Sequence, residues 1–179
     1  MLSTNRVNDT RKSILNQSAN ILTILNLSSG FLALIFVTKG HVQLAIVLIF
    51  LAAIFDMYDG KVARSLNVTS DFGKQLDSLA DLISFGVAPA ILIYTNVLYE
   101  YSVVGLFFTV LYVLCGAIRL ARFNVTTFTG SFQGLPIPAA GCTLAFAIFF
   151  MNYIPSVLFM FLMLGLALLM IGTFKVKKV

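Results

Sequence analysis

The feature that most limits the fold is a succession of apolar runs, each about twenty residues long, recurring from residue 20 to residue 174. Roughly twenty apolar residues rising 1.5 Å each cross a hydrocarbon core of about 30 Å, and a backbone surrounded by lipid has to satisfy its own hydrogen bonds. Helices do this within a single segment. The chain is 59% hydrophobic and only 11% charged, with a mean hydropathy of +0.97, well beyond what a soluble core requires. The expected fold is therefore an all-α integral membrane protein with six transmembrane helices, at 20–38, 42–59, 74–99, 101–123, 136–153 and 155–174. Residues 1–18 are expected to form an N-terminal cytoplasmic or interfacial segment, and residues 19–179 a single membrane domain. Arg6, Arg11 and Lys12 ahead of an apolar run also suit a signal peptide, but no small-residue cleavage site follows, so the segment is expected to be retained.

Against this apolar background, one stretch stands out. Residues 56–81 read DMYDGKVARSLNVTSDFGKQLDSLAD and contain Asp56, Asp59, Asp77 and Asp81. Asp56 and Asp59 are three apart and Asp77 and Asp81 four apart, so on helices each pair shares one face. A short connection places the end of the second span beside the start of the third, bringing both pairs to one membrane face. Unpaired carboxylates beside lipid are costly, and a bound cation, a basic partner or a water-filled cavity offsets the cost. An all-oxygen ligand set suits Mg²⁺, Mn²⁺ or Ca²⁺ rather than zinc or copper. Gly60 permits close approach to the backbone, and Arg64 offers a planar fork of donors matched to phosphate oxygens. The competing reading is a polar helix cap in which Lys61, Arg64 and Lys74 neutralise the aspartates, which leaves the regular spacing without a cause.

The pattern Asp56-x2-Asp59-Gly60-x2-Ala63-Arg64-x8-Gly73-x3-Asp77-x3-Asp81 resembles the signature of the CDP-alcohol phosphotransferases. Further residues resemble the phosphatidylserine synthases within that family: Ser84 to Pro89, Arg119 to Asn124, and the Gly-Leu-Pro-Ile-Pro run from Gly134 to Pro138. The resemblance implies that the four aspartates share two dications, Mg²⁺ or Mn²⁺, with Asp81 also the general base. Gly60, Ala63, Arg64, Ser70 and Thr23 would hold the nucleotide and phosphates, and Ser84, Arg119 and Arg122 would recognise the acceptor. It further implies CDP-diacylglycerol and serine as substrates, with glycerol 3-phosphate or inositol phosphate the alternative acceptors, and a homodimer. For Thr23 and Asn26, nucleotide contact and interhelical hydrogen bonding both remain open. Arg119 and Arg122 share a helix face suited to a carboxylate or phosphate; the alternative is that they snorkel to anionic headgroups or only follow the positive-inside bias.

Nearly all the basic residues fall on one side of the expected topology, with Lys39 alone on the other, so the positive-inside rule makes the site face the cytoplasm, in the cell membrane. The net charge of +5 has no aromatic-interleaved basic patch behind it, which excludes a nucleic-acid partner. His41 is read as interfacial, Cys115 and Cys142 as small hydrophobes within apolar runs, and Pro89 as a kink in the third span. A divalent-cation transporter shares the need for intramembrane carboxylates, but its site belongs near the bilayer midplane rather than at a helix end. A structural membrane scaffold is the remaining alternative.

Overall fold

The computed structural model describes residues 2–65, 71–125, 132–172 and 175–176, with side chains over 20–62, 71–125 and 134–172. It is helical apart from one two-residue pairing. The first helix, α1 (Leu2–Thr38), runs unbroken from the polar N-terminal residues into the first apolar run. Its end is set by Gly40, whose φ of 76° is one that side chains rarely adopt. The His41 N–H reaches back to the Phe36 carbonyl (2.9 Å) and the Gly40 N–H to that of Val37 (3.0 Å), a Schellman closure that satisfies carbonyls the helix leaves open. The chain then returns as α2 (Val42–Ser65), packed along α1. Ala33 on α1 and Ala45 and Ala52 on α2 are buried, and such small side chains let helix backbones approach closely.

The next helical stretch changes pitch several times. It begins as α3 (Asp71–Asp81), widens to a π-helix over Leu82–Val87, becomes α4 (Ala88–Ile93), and widens again over Tyr94–Leu98. Pro89 supplies a local reason for the first change. It has no N–H to give to the Phe85 carbonyl four residues back. The Tyr112 hydroxyl from the following helix donates to that carbonyl instead, at 3.0 Å and fully buried. A reversal at Ser102, with a φ of 47°, leads into α5 (Ser102–Val125), which packs back against the π segment and α4.

The chain finishes with α6 (Ile137–Ala147) and α7 (Ser156–Ile171). β1 (Phe132–Gln133) pairs antiparallel with β2 (Lys175–Val176), tying the approach to α6 to the residues beyond α7. The end of α7 is held from two sides: the Leu135 N–H donates to the Leu169 carbonyl (3.0 Å), and Arg122 Nη1 to the Ile171 carbonyl (3.0 Å).

Helices occupy each of the six stretches expected from the sequence. Three helical segments are long and apolar enough to cross a membrane: Asn20–Thr38, Val42–Val62 and Asp71–Val125, the last containing the reversal at Ser102. Ile137–Phe150 and Ser156–Ile171 are shorter. Only about a third of the residues in each long segment are buried inside the protein. Their outward faces carry large apolar side chains such as Phe31, Val47, Val103 and Phe107. So much exposed apolar surface fits a lipid environment and not water.

Candidate active site

The site forms where the last turns of α2 meet α3 and the middle of α1. Asp56 and Asp59 project from α2 and Asp77 from α3, and one carboxylate oxygen from each lies within 4.8 Å of the other two. Helix periodicity aligns Asp56 with Asp59, and the approach of α3 to the end of α2 sets Asp77 beside them. Ser70, one of the expected nucleotide contacts, lies outside the described residues. Ala63 and Arg64 are on the last turn of α2, with their side chains outside the described residues. Gly60 is on the same helix, and its backbone hydrogen-bonds the Asp59 carboxylate.

Three carboxylates this close repel one another strongly: two unit charges 4 Å apart near a protein surface interact by roughly 4 kcal/mol. The lysines proposed as neutralising partners are engaged elsewhere. Lys61 lies over the Tyr58 ring, 5.9 Å from its centroid, and Lys74 Nζ donates to the Asn124 carbonyl (3.2 Å) and sits over Phe123. Asp77 Oδ1 is buried and has no hydrogen-bond partner. An acceptor-only oxygen without a donor, within a cluster of like charge, fits a bound divalent cation with oxygen ligands.

Helix α1 supplies the polar partners. Thr23 Oγ1 donates to Asp59 Oδ2 at 3.1 Å, and three residues along the same face Asn26 Nδ2 donates to Asp81 Oδ1 at 3.3 Å. Thr23 thus forms an interhelical bond within the carboxylate cluster itself. Asp81, only 7% exposed at the end of α3, stands outside the three-oxygen cluster but within hydrogen-bonding reach of Asp56. Asn26 is 0% exposed, and its Oδ1 has no partner. An unpaired buried acceptor of this kind costs about 1–3 kcal/mol.

The expected acceptor residues separate. Ser84 is fully buried in the π segment, where its hydroxyl donates to the Asn26 backbone carbonyl at 3.1 Å. It packs so closely on Gly30 that any side chain at Gly30 would collide with Ser84 Oγ and its backbone. Arg119, half-buried on α5, faces Asp81 electrostatically and keeps a buried Nε without a hydrogen-bond partner. Arg122 instead donates to the end of α7, where a cation also complements the helix dipole.

Two polar features escaped the sequence reading. Besides the Asn26–Asp81 bond, Ser78 and Gln75 on α3 meet Asn124 at the end of α5, with Asn124 Nδ2 donating to Gln75 Oε1 (3.1 Å) and Ser78 Oγ (3.0 Å). Polar residues three apart in an otherwise apolar span, as Thr23 and Asn26 are, mark such a face; the partner across the gap depends on helix register.

The CDP-alcohol phosphatidyltransferase family profile matches residues 16–171, which contain every element of the site. Over 163 residues the chain is 40% identical to the archaetidylserine synthase of Methanothermobacter thermautotrophicus, covering 89% of this chain and 69% of that protein. It is 39% identical over 133 residues to the CDP-diacylglycerol–serine O-phosphatidyltransferase of Bacillus subtilis, covering 74% and 75%. With the enzyme of the same name from Helicobacter pylori it shares 43% identity over 124 residues, 68% of this chain and about half (52%) of that protein. With the signature aspartates gathered on α2 and α3 and the profile spanning all but the ends, the chain belongs to the CDP-alcohol phosphatidyltransferase family.

Proposed function

We propose that the protein transfers a phosphatidyl group from CDP-diacylglycerol to the hydroxyl of L-serine, giving phosphatidylserine and CMP. The observation that carries this reading is the oxygen cluster of Asp56, Asp59 and Asp77 with its unpartnered Asp77 Oδ1, at the end of apolar helices where a lipid diphosphate can lie. The names of the relatives support serine as acceptor. Asp56, Asp59, Asp77 and Asp81 would hold two Mg²⁺ or Mn²⁺ ions. Bound there, the ions would neutralise the diphosphate and the charge developing on the leaving CMP.

The protein's own groups account for the remaining steps. Gly60, Ala63, Arg64, Ser70 and Thr23 bind the nucleotide and phosphates, and Arg119, facing Asp81 with an unused donor, binds the serine carboxylate. The serine hydroxyl attacks the β-phosphorus: the new O–P bond forms as the bond from phosphorus to CMP breaks, and the hydroxyl proton passes to Asp81. Ser84 and Arg122 support this arrangement from behind, one against Asn26 and the other at the end of α7. We place six helices across the cell membrane, with the site facing the cytoplasm and the protein a homodimer; the one-sided distribution of basic residues supports the orientation.

The test is CMP release from CDP-diacylglycerol by purified protein with Mg²⁺ or Mn²⁺, offering serine, glycerol 3-phosphate and inositol phosphate separately. Serine-dependent release is expected. Release that favours another acceptor would reassign the substrate, and metal uptake into sealed vesicles without CDP-lipid would favour transport.

A further inference from the structure

From α1, the Asn26 side chain reaches Asp81. The contact is a single hydrogen bond from Nδ2 to Asp81 Oδ1 at 3.3 Å, with both residues buried. The amide is an expensive choice for this position, because its Oδ1 is left buried without a partner where an apolar side chain of similar volume would leave none. Packing therefore does not explain it. The backbone around it is also fixed: the Ser84 hydroxyl donates to the Asn26 carbonyl, and Gly30, one turn on, admits Ser84 against α1 only because it has no side chain. Ser84 lies three residues after Asp81, so the same π segment that follows the carboxylate also clamps the helix that supplies its hydrogen-bond donor.

We infer that Asn26 is a positioning residue for the transfer step, holding the Asp81 carboxylate through Nδ2 so that its other oxygen is aimed at the acceptor hydroxyl, with Ser84 fixing Asn26 in turn. This rests on the proposed role of Asp81 as base. A carboxylate free to rotate about its side-chain torsions presents the accepting oxygen only part of the time, and misplacement of a reacting group by about 1 Å can cost on the order of a hundredfold in rate. An Asn26 that acts in this way affects turnover and leaves the binding of CDP-lipid alone.

The experiment measures kcat, both KM values and CDP-diacylglycerol binding for Asn26→Leu, Ser84→Ala and Asp81→Glu, and for Asn26→Leu combined with Asp81→Glu, in detergent micelles with Mg²⁺. Asn26→Leu is expected to lower kcat at least about tenfold, part of the roughly 10²–10⁴-fold that a positioned base supplies, with KM and binding for CDP-lipid within about threefold of wild type. Ser84→Ala is expected to lower kcat by a smaller factor in the same direction, and it carries the test if Asn26→Leu fails to fold. In the Asp81→Glu background, where the carboxylate is already displaced, Asn26→Leu is expected to cost about twofold or less. Loss of CDP-lipid binding in Asn26→Leu would overturn the inference by making Asn26 a nucleotide contact. Undiminished kcat, or an equal loss in the Asp81→Glu background, would overturn it as well. Failure of the base assignment is seen separately, as full turnover by Asp81→Asn.

Discussion

The two ends of the helix sequence use polar groups in opposite ways. Around α1, α2 and α3, polar side chains point at carboxylates: Thr23 at Asp59 and Asn26 at Asp81, with Arg119 facing Asp81 from α5, beside a cluster of three carboxylates in which Asp77 Oδ1 has no donor. Away from the site, around α5, α6 and α7, polar groups point at backbone carbonyls instead: Tyr112 at Phe85, Arg122 at Ile171 and the Leu135 N–H at Leu169. The second pattern is what helix ends and a proline require, because each carbonyl left open in an apolar setting needs a donor. The first pattern leaves a cluster of charge and an amide oxygen unsatisfied, at the expense of stability, and this is how a site prepared for a ligand differs from a scaffold. In one region substitutions should affect turnover, and in the other they should affect stability.

The largest effect that could break this contrast belongs to the triad. Asp56→Asn, Asp59→Asn and Asp77→Asn are each expected to reduce CMP release more than about a hundredfold while the protein remains folded, since losing an anionic ligand costs several kcal/mol of transition-state stabilisation. Activity above about a hundredth of wild type in any of the three would count against a shared ion site. Asp81→Asn is expected to lose turnover yet still bind CDP-diacylglycerol in the presence of metal, because an amide oxygen can ligate a cation but cannot accept the proton. Loss of CDP-lipid binding as complete as in Asp56→Asn would make Asp81 chiefly a ligand.

Next in size is Arg119→Ala, expected to raise the serine KM about tenfold with little change for CDP-diacylglycerol. Equal effects on both constants would replace carboxylate recognition with shared phosphate binding. In the other region, Tyr112→Phe should leave the Phe85 carbonyl without its partner and cost about 1–3 kcal/mol of stability, with near-normal kinetics in the folded fraction. Arg122→Ala should cost less, about 1 kcal/mol, through the lost contact with the end of α7, and leave the serine KM unchanged. Thermal unfolding followed with a thiol-reactive dye measures both, since Cys115 is free and buried in the folded protein. A serine KM that rises in Arg122→Ala would return that residue to the acceptor site.

What the sequence made legible follows the range of the interactions involved. The carboxylate pairs could be read because spacings of three and four map onto one helix face, and the meeting of the pairs because the α2–α3 connection is short. The disturbance at Pro89 could be read because proline removes a specific donor; that the helix would widen over Leu82–Val87, or that Tyr112 twenty-seven residues on would supply the missing donor, could not. The same limit applies to Asn26 and Ser84. Both could be seen as small polar residues in apolar runs, but their partners depend on the register between α1 and the π segment, which local patterning does not encode. Arg119 and Arg122 looked equivalent at a spacing of three, and the difference between them comes from neighbours contributed by α3 and α7. Membrane crossing was clearest for the long segments; α6 and α7 are apolar but short, and at 1.5 Å per residue their 11 and 16 residues fall short of a hydrocarbon core of about 30 Å.

Binding of Mn²⁺ to the purified protein with CDP-diacylglycerol present, followed by loss of the free-ion paramagnetic resonance signal, tests the central claim most directly. The account predicts two ions bound per chain in the wild type and loss of at least one of them in Asp77→Asn, since Asp77 belongs to the cluster and its buried Oδ1 has no hydrogen-bond partner. A free-ion signal unchanged by the wild-type protein, or identical binding by wild type and Asp77→Asn, would contradict it.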